Sequence, residues 1–132
     1  MNHPKILLID DSRATRSVVA KMLSGLQCEI VEAANGALGL DQAHLHLPGL
    51  IVLDMTMPVM DGVETLERLK ADPATSAIPV IMLSANSNAE EMEQMKARGA
   101  AHYVTKTQKP KLILDYAMEL LKLEPKPVAE AA

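Results

Sequence analysis

Aromatic side chains are nearly missing from this sequence. Its 132 residues include two tyrosines but no phenylalanine and no tryptophan. A folded core must therefore be aliphatic, with some of the nine methionines filling its irregular gaps. Apolar residues nevertheless make up 48% of the chain and are spread along its length, which excludes an intrinsically disordered protein.

Cysteine and long apolar runs are also scarce. Cys28 is the single cysteine, so an internal disulfide is excluded and a reducing cytoplasm is the expected location. The apolar run after Lys5 is much shorter than the core of a signal peptide or a membrane-spanning helix. We therefore expect a cytoplasmic protein with no membrane segment.

The sequence has no cluster of lysine and arginine, and its formal net charge is -4. This balance disfavours nucleic-acid binding, which needs a basic surface. The length suits one domain, large enough to bury a core without disulfides.

Five short apolar segments alternate with segments of helical periodicity. The predicted strands are residues 5–9, 29–33, 50–53, 80–83 and 102–105. Three of them are almost continuous runs of isoleucine, leucine and valine, which is typical of strands buried on both faces. Strands and helices in strict alternation predict an α/β fold, a parallel sheet with helices on both faces and right-handed crossovers.

Residues that favour helix starts and stops delimit five helices. The predicted starts are at Ser12, Asn35-Gly36, Ser87 and Pro110, and the predicted stops are at Gly25, Asp72-Pro73 and Gly99. In the first helix we expect a buried stripe of Val18, Val19, Met22 and Leu26. The last ten residues, 123–132, have two prolines and no periodicity, so we expect a folded domain at 4–122 followed by a flexible tail.

The second helix has leucines off its predicted core stripe. Leu38, Leu45 and Leu47 do not share the face of Leu40 and Ala43. Either the helix end packs loosely, or these side chains form a surface for a partner.

Polar side chains follow four of the predicted strands. Asp10 and Asp11 follow the first, Asp54 the third, Ser84 the fourth and Lys106 the fifth. The carboxyl ends of parallel strands lie at one edge of the sheet, where open α/β sheets bind ligands. We therefore expect these side chains to meet in one shallow pocket.

The chemistry of this set favours a phosphoryl site with a metal ion. Three clustered carboxylates repel one another, and Mg²⁺, which prefers oxygen ligands, relieves that repulsion. An ammonium and a hydroxyl suit phosphoryl oxygens. Asp54 is thus placed to accept a phosphoryl group. Taken singly, each residue has an ordinary explanation, as a helix cap, a turn residue or a solvated lysine, but their coincidence at matching strand ends favours a site.

The segments that carry these residues resemble a known family. They are "ILLIDDS" (6–12), "LIVLDMTMPVMDG" (50–62), "PVIMLSA" (79–85) and "GAAHYVTK" (99–106). In order and spacing they resemble the receiver domain of two-component response regulators, from about residue 4 to 122. The resemblance implies a flavodoxin-like, doubly wound sheet of five parallel strands in the order 2-1-3-4-5, flanked by five helices.

The resemblance also implies a role for each matching position. Asp54 corresponds to the phosphoacceptor, Asp11 to a direct Mg²⁺ ligand and Asp10 to a ligand that acts largely through water. The remaining implied roles are a third metal ligand (the backbone carbonyl of Thr56), a hydroxyl that follows the phosphoryl group (Ser84), a phosphate-contacting lysine (Lys106), an aromatic switch residue (Tyr103), and the turn after the phosphoacceptor (Pro58 and Gly62). Met57 and Met60 are expected to give that loop apolar cover.

A receiver of this kind would take phosphoryl from a histidine kinase or a phosphotransfer protein with Mg²⁺ bound. Phosphorylation would draw in Ser84 and Tyr103, with Tyr103 facing outward beforehand, and would reshape the surface of the fourth helix, fifth strand and fifth helix. The chain would promote its own phosphorylation and dephosphorylation without being a turnover enzyme. It would act either as a single-domain protein or as part of a longer one, on an output partner that the sequence does not identify.

One position departs from the family pattern. The lysine is usually followed by proline through a cis bond, whereas here Thr107 follows Lys106. A cis bond before a residue other than proline costs roughly 2.5–4 kcal/mol, so we expect a trans bond and a rearranged loop.

Two alternatives from other functional classes remain open. A phosphatase of the haloacid dehalogenase type also uses a strand-end aspartate, but it needs a second aspartate two residues later, where this chain has Thr56. A binding module could instead keep the fold without the phosphoryl chemistry.

Overall fold

The computed structural model describes residues 3–85, 88–106 and 111–122. The strands are β1 (Lys5–Ile9), β2 (Glu29–Ala33), β3 (Leu50–Asp54), β4 (Val80–Ser84) and β5 (His102–Thr105). The helices are α1 (Arg13–Leu23), α2 (Gly36–His46), α3 (Gly62–Ala71), α4 (Ala89–Ala97) and α5 (Lys111–Leu121). All five strands are parallel and lie in the order β2-β1-β3-β4-β5, which confirms the predicted topology.

The predicted strands are confirmed, and two of them extend one residue further than expected. β3 includes Asp54 and β4 includes Ser84, and every residue of both strands is buried. These two side chains therefore sit on the last rung of the ladder, where the sheet fixes their backbone positions.

The sheet separates two aliphatic cores. Alternate residues of β1 point to opposite faces, as the period of a strand requires. Ile6 and Leu8 belong to the core shared with α1 and α5, whereas Leu7 and Ile9 belong to the core that includes residues of α2, α3 and α4. Both cores therefore consist mainly of aliphatic side chains, as the scarcity of aromatic residues predicts.

The helix boundaries follow local capping chemistry. Ser12 caps α1, as predicted, by accepting a hydrogen bond from the backbone N–H of Thr15 at 3.1 Å. Asn35 caps α2 in the same way. The prediction that Ser87 starts α4 is wrong, because Asn88 is the cap, and its side chain accepts from two backbone N–H groups of the first turn. Gly99 follows α4 with a φ of 108°, a conformation that favours glycine.

Val18 was predicted to be buried, but it is 58% exposed because it lies beside the buried face of α1 rather than on it. Leu38 and Leu45 of α2, and Leu47 directly after its last residue, are all exposed. Pro110 and the tail at 123–132 lie outside the described residues, so the limits of the domain remain predictions. No helix in the described ranges is long and apolar enough to cross a membrane.

Candidate functional site

The edge of the sheet gathers the predicted carboxylates. Asp10, which directly follows β1, and Asp54, at the end of β3, are each only 3% exposed, whereas Asp11 is exposed. One carboxylate oxygen from each of the three residues lies within 4.8 Å of the others. The three carboxylates therefore lie together at this edge of the sheet, as the sequence predicts.

Glycine at position 62 allows the loop after Asp54 to close tightly. The backbone N–H of Gly62 donates to the carbonyl of Met55 at 2.9 Å. A Cβ at this position would collide with the backbone carbonyl of Asp54. The start of α3 thus packs directly on the backbone of Asp54.

Lys106 joins the carboxylates, as predicted from its position after β5. Its ammonium Nζ lies 3.1 Å from Asp54 Oδ1 and 3.4 Å from Asp10 Oδ2. Burial by itself lowers the pKa of this ammonium, but the hydrogen bond to Asp54 and the charge of Asp10 outweigh burial and leave the pKa raised. Lys106 is therefore held as a cation inside the acidic cluster.

Asp54 experiences opposing influences. Burial raises the pKa of its carboxyl, the neighbouring Asp10 charge raises it further, and the contacts with Lys106 oppose both. The net shift is upward, so one lysine does not neutralise the cluster. An additional positive charge at this site would stabilise the ionised carboxylates.

The Asp10 side chain also shows where a cation would fit. Its Oδ1 accepts a hydrogen bond from the backbone N–H of Ser12 at 2.8 Å. Its buried Oδ2 has no hydrogen-bond partner within the described part of the chain, although Lys106 is nearby. A buried carboxylate oxygen with unused acceptor capacity beside two further carboxylates is a donor set that suits a hard divalent cation.

Arg16 supports the Asp10 backbone, a contact that the sequence interpretation missed. From α1 it donates to the backbone carbonyl of Asp10 at 2.6 Å and to the carboxylate of Glu32, on β2, at 2.8 Å. A single arginine on a helical repeat gives no sequence signal of this role, because its partners come from two separate strands.

Ser84 and Tyr103 meet at a residue that was also not singled out. The hydroxyl of Ser84 donates to Glu91 Oε1 at 3.1 Å, and the hydroxyl of Tyr103 donates to the same oxygen at 2.7 Å. The ring of Tyr103, which is predicted to face outward, is half-buried and packs against the core. Glu91 carried no signal, since an acidic residue in the first turn of a helix is ordinary.

The loop after Asp54 contains a tight turn. Val59 has a φ of 72°, and the N–H of Met60 donates to the carbonyl of Pro58 at 2.8 Å. Met57, expected as loop cover, is 7% exposed and belongs to the core. Thr56 is exposed, and its backbone N–H contacts Asp54 Oδ1 at 3.5 Å.

The predicted trans bond joins Lys106 to Thr107. Thr107 and the rest of the loop, residues 108–110, lie outside the described ranges. The ammonium of Lys106 reaches Asp54 although no proline directly follows this lysine in the sequence.

Comparison with known proteins places this geometry in context. The family model described as "Response regulator receiver domain" matches residues 6–118. Among curated proteins, the chain is 36% identical over 111 residues to a probable transcriptional regulator, ycf27, of Cyanophora paradoxa, covering 84% of this chain and 45% of that protein. It is 34% identical over 102 residues to the response regulator PleD of Caulobacter vibrioides, covering 77% of this chain and 22% of that protein.

Solved structures give the same picture for the fold. The chemotaxis response regulator CheY4 of Vibrio cholerae matches with a TM-score of 0.82 and 28% identity, over 90% of this chain and 99% of that one. The curated relatives are longer, and the aligned part of this chain spans less than half of their length.

Proposed function

Because the chain belongs to the family of response regulator receiver domains, we propose that it acts in a two-component phosphorelay in which Asp54 accepts the phosphoryl group. The supporting observation is the convergence of Asp54 with Asp10, Asp11 and Lys106 at one edge of the sheet. The donor would be a histidine kinase or a phosphotransfer protein, and a separate output protein or domain would respond to the phosphorylated form.

The chain's own side chains account for the transfer. A carboxylate oxygen of Asp54 forms the new bond to phosphorus, while the bond between phosphorus and the donor breaks and the leaving group keeps its electron pair. Lys106, whose ammonium lies 3.1 Å from Asp54 Oδ1, would neutralise charge on the phosphoryl oxygens. Ser84, one residue beyond the Leu83 that pairs with Asp54, would donate its hydroxyl to another of these oxygens.

The acidic cluster would hold Mg²⁺ through Asp11, Asp54 and the backbone carbonyl of Thr56, with Asp10 acting mainly through water. The unused acceptor capacity of Asp10 Oδ2 supports this assignment. Bound there, the ion would supply positive charge that offsets carboxylate repulsion and stabilises phosphoryl oxygens. Asp10 would also hold Lys106 in place.

We propose that the chain promotes its own phosphorylation and dephosphorylation and does not turn over an external substrate. The phosphatase alternative loses its support, because a receiver family model matches the chain and position 56 is threonine. A binding module without phosphoryl chemistry is the alternative that the experiments below distinguish.

The acceptor is tested by incubating the protein with acetyl phosphate and Mg²⁺ and measuring its intact mass. We expect the wild type to gain one phosphoryl group and Asp54→Asn to gain none, because an amide oxygen is a poor nucleophile. Asp115→Asn, which removes an exposed carboxylate of α5, is the control and should be labelled like the wild type. Equal labelling of Asp54→Asn would refute the assignment.

The metal site is tested by Mg²⁺ titration followed by NMR. We expect Asp11→Asn to weaken binding by about tenfold, because it removes a charged direct ligand. Asp10→Asn should have a smaller effect, since one oxygen of Asp10 is already bonded to the backbone of Ser12. Unchanged affinity in Asp11→Asn would contradict the proposed ligand set.

A further inference from the structure

Glu91 lies at the meeting point of the two proposed switch residues. Its Oε1 accepts hydrogen bonds from the hydroxyls of Ser84, at 3.1 Å, and Tyr103, at 2.7 Å. The three residues come from β4, α4 and β5, so one carboxylate oxygen links three neighbouring elements. The side chain is half-buried, which limits competition from water for these bonds.

The backbone of Glu91 is fixed by its place in the first turn of α4. The side chain of Asn88 accepts from the backbone N–H groups of Glu90 and Glu91 at 3.0 and 3.1 Å. Further along the helix, Met95 is 2% exposed and anchors α4 to the core. The amino-terminal end of a helix also stabilises a negative charge. Glu91 is therefore held in position as a hydrogen-bond acceptor.

A serine hydroxyl has a single proton to donate. In the structure Ser84 donates this proton to Glu91, although its proposed role requires donation to a phosphoryl oxygen on Asp54. The two acceptors therefore compete for one donor.

The carboxylate of Glu91 also affects the pKa of the Tyr103 hydroxyl. Burial raises this pKa, a contact with Ser84 lowers it, and the hydrogen bond and charge of Glu91 raise it. A change in the hydrogen bond between Ser84 and Glu91 would therefore also change the hydrogen bonding of the Tyr103 hydroxyl, on β5.

We propose that Glu91 is a positioning residue that restrains the Ser84 hydroxyl, and that phosphorylation must displace it from Ser84, which transmits the change to Tyr103 and α4. This inference rests on the proposed function of Asp54. It adds a competing acceptor contributed by this chain, which sets how readily the phosphorylated arrangement forms.

The proposal is tested by measuring the affinity for beryllofluoride, a phosphoryl mimic, in the presence of Mg²⁺. We expect Glu91→Ala to bind about fivefold more tightly, since a hydrogen bond to a charged acceptor is lost only from the unbound form. Glu91→Gln should fall between Glu91→Ala and the wild type, because its amide keeps an oxygen acceptor without the charge. Glu90→Ala, an exposed neighbour in the same turn, controls for the loss of charge and should resemble the wild type.

A double-mutant cycle separates positioning from a general structural effect. In a Ser84→Ala background, Glu91→Ala should produce no further gain in affinity. A second readout, the hydroxyl titration of Tyr103 followed by NMR, should show a lower pKa in Glu91→Ala than in the wild type. This readout requires no mimic to bind.

The outcomes distinguish the inference from the proposed function. If the wild type binds the mimic and Glu91→Ala binds no more tightly, or if the gain persists without the Ser84 hydroxyl, the inference is wrong while Asp54 remains the acceptor. If the wild type does not bind the mimic, the proposed function and the inference fail together.

Discussion

Asp54 combines burial with charge, and both bear on its chemistry. It is 3% exposed, close to Asp10, and bonded to Lys106. Because burial and the Asp10 charge together outweigh the lysine, its pKa is raised. The ionised carboxylate that the proposed reaction needs is therefore a destabilising feature of the fold.

This conflict predicts a pH-dependent effect of Asp54→Asn on stability. With the pKa raised in the folded state, the stabilising contribution of Asp54 is fully present below its unfolded pKa of 3.8 and is lost as the pH rises through the folded value. At pH 7 we therefore expect a higher Tm for Asp54→Asn than for the wild type, with the difference shrinking towards pH 4. Thermal denaturation at several pH values tests this, with Asp115→Asn as the exposed control. A lower Tm at pH 7 would mean that the bond to Lys106 dominates.

The sequence predicts the positions of some side chains at the site but not the contacts of others. Asp10, Asp54 and Lys106 were located because strand ends of a parallel sheet converge, a rule that needs only the order of elements. Glu91 and Arg16 were missed because their roles depend on side-chain reach across elements, which no periodicity encodes. The hydrogen bond from Tyr103 to Glu91 was missed for the same reason.

Among the helices and strands, α2 approaches β1 unusually closely. A Cβ at Gly39 would lie 2.5 Å from Cδ1 and 2.9 Å from Cγ1 of Ile9, which is fully buried in the sheet. Glycine is required here for packing, since its backbone φ is an ordinary helical one. The close packing of α2 on the sheet thus depends on the absence of a side chain at position 39.

Gly39→Ala should therefore destabilise the protein. We expect a loss of about 1–3 kcal/mol, because overpacking a buried contact outweighs the better helix propensity of alanine. Gly25→Ala is the matched control, as a Cβ there meets no atom within 4 Å. Urea unfolding measures both. Equal midpoints for the two variants would show that α2 can shift at little cost.

A histidine joins α2 to the end of α3. The Nε2 of His44 lies 2.6 Å from Asp72 Oδ2, and its Nδ1 lies 2.8 Å from the carbonyl of Leu40. Both ring nitrogens face acceptors, an arrangement that the protonated ring satisfies best. The bond to Asp72 is the main cause of a raised His44 pKa, with the carbonyl adding to it and Asp41 contributing through its charge.

This pair predicts a salt-sensitive titration. The stabilisation is fully present below the unfolded pKa of 6.5 and is lost as the pH rises through the higher folded value. NMR titration should give a His44 pKa above 6.5 that falls in Asp72→Asn, which keeps the acceptor oxygen for Ala74. The shift should also shrink at high salt, because both groups are exposed. An unchanged His44 pKa in Asp72→Asn would contradict the pairing.

The protein as a unit follows from a few local rules that agree with one another. Alternating strand and helix patterns predicted the parallel sheet, and the same order brought the polar strand ends together. The buried position of Met57 and the exposure of Val18 were not predicted, because both depend on how elements pack after the sheet has formed. Fold and site placement were thus accessible from sequence, whereas the contacts that tune the site required coordinates.

The central claim is that the phosphoryl group is carried by Asp54. The direct measurement treats the wild-type protein with acetyl phosphate and Mg²⁺, reduces the product with borohydride, and maps its peptides by mass spectrometry. Borohydride converts an aspartyl phosphate to homoserine and leaves an ordinary carboxylate unchanged. The account predicts homoserine at position 54 alone, and homoserine at another position, or an unmodified position 54, would contradict it.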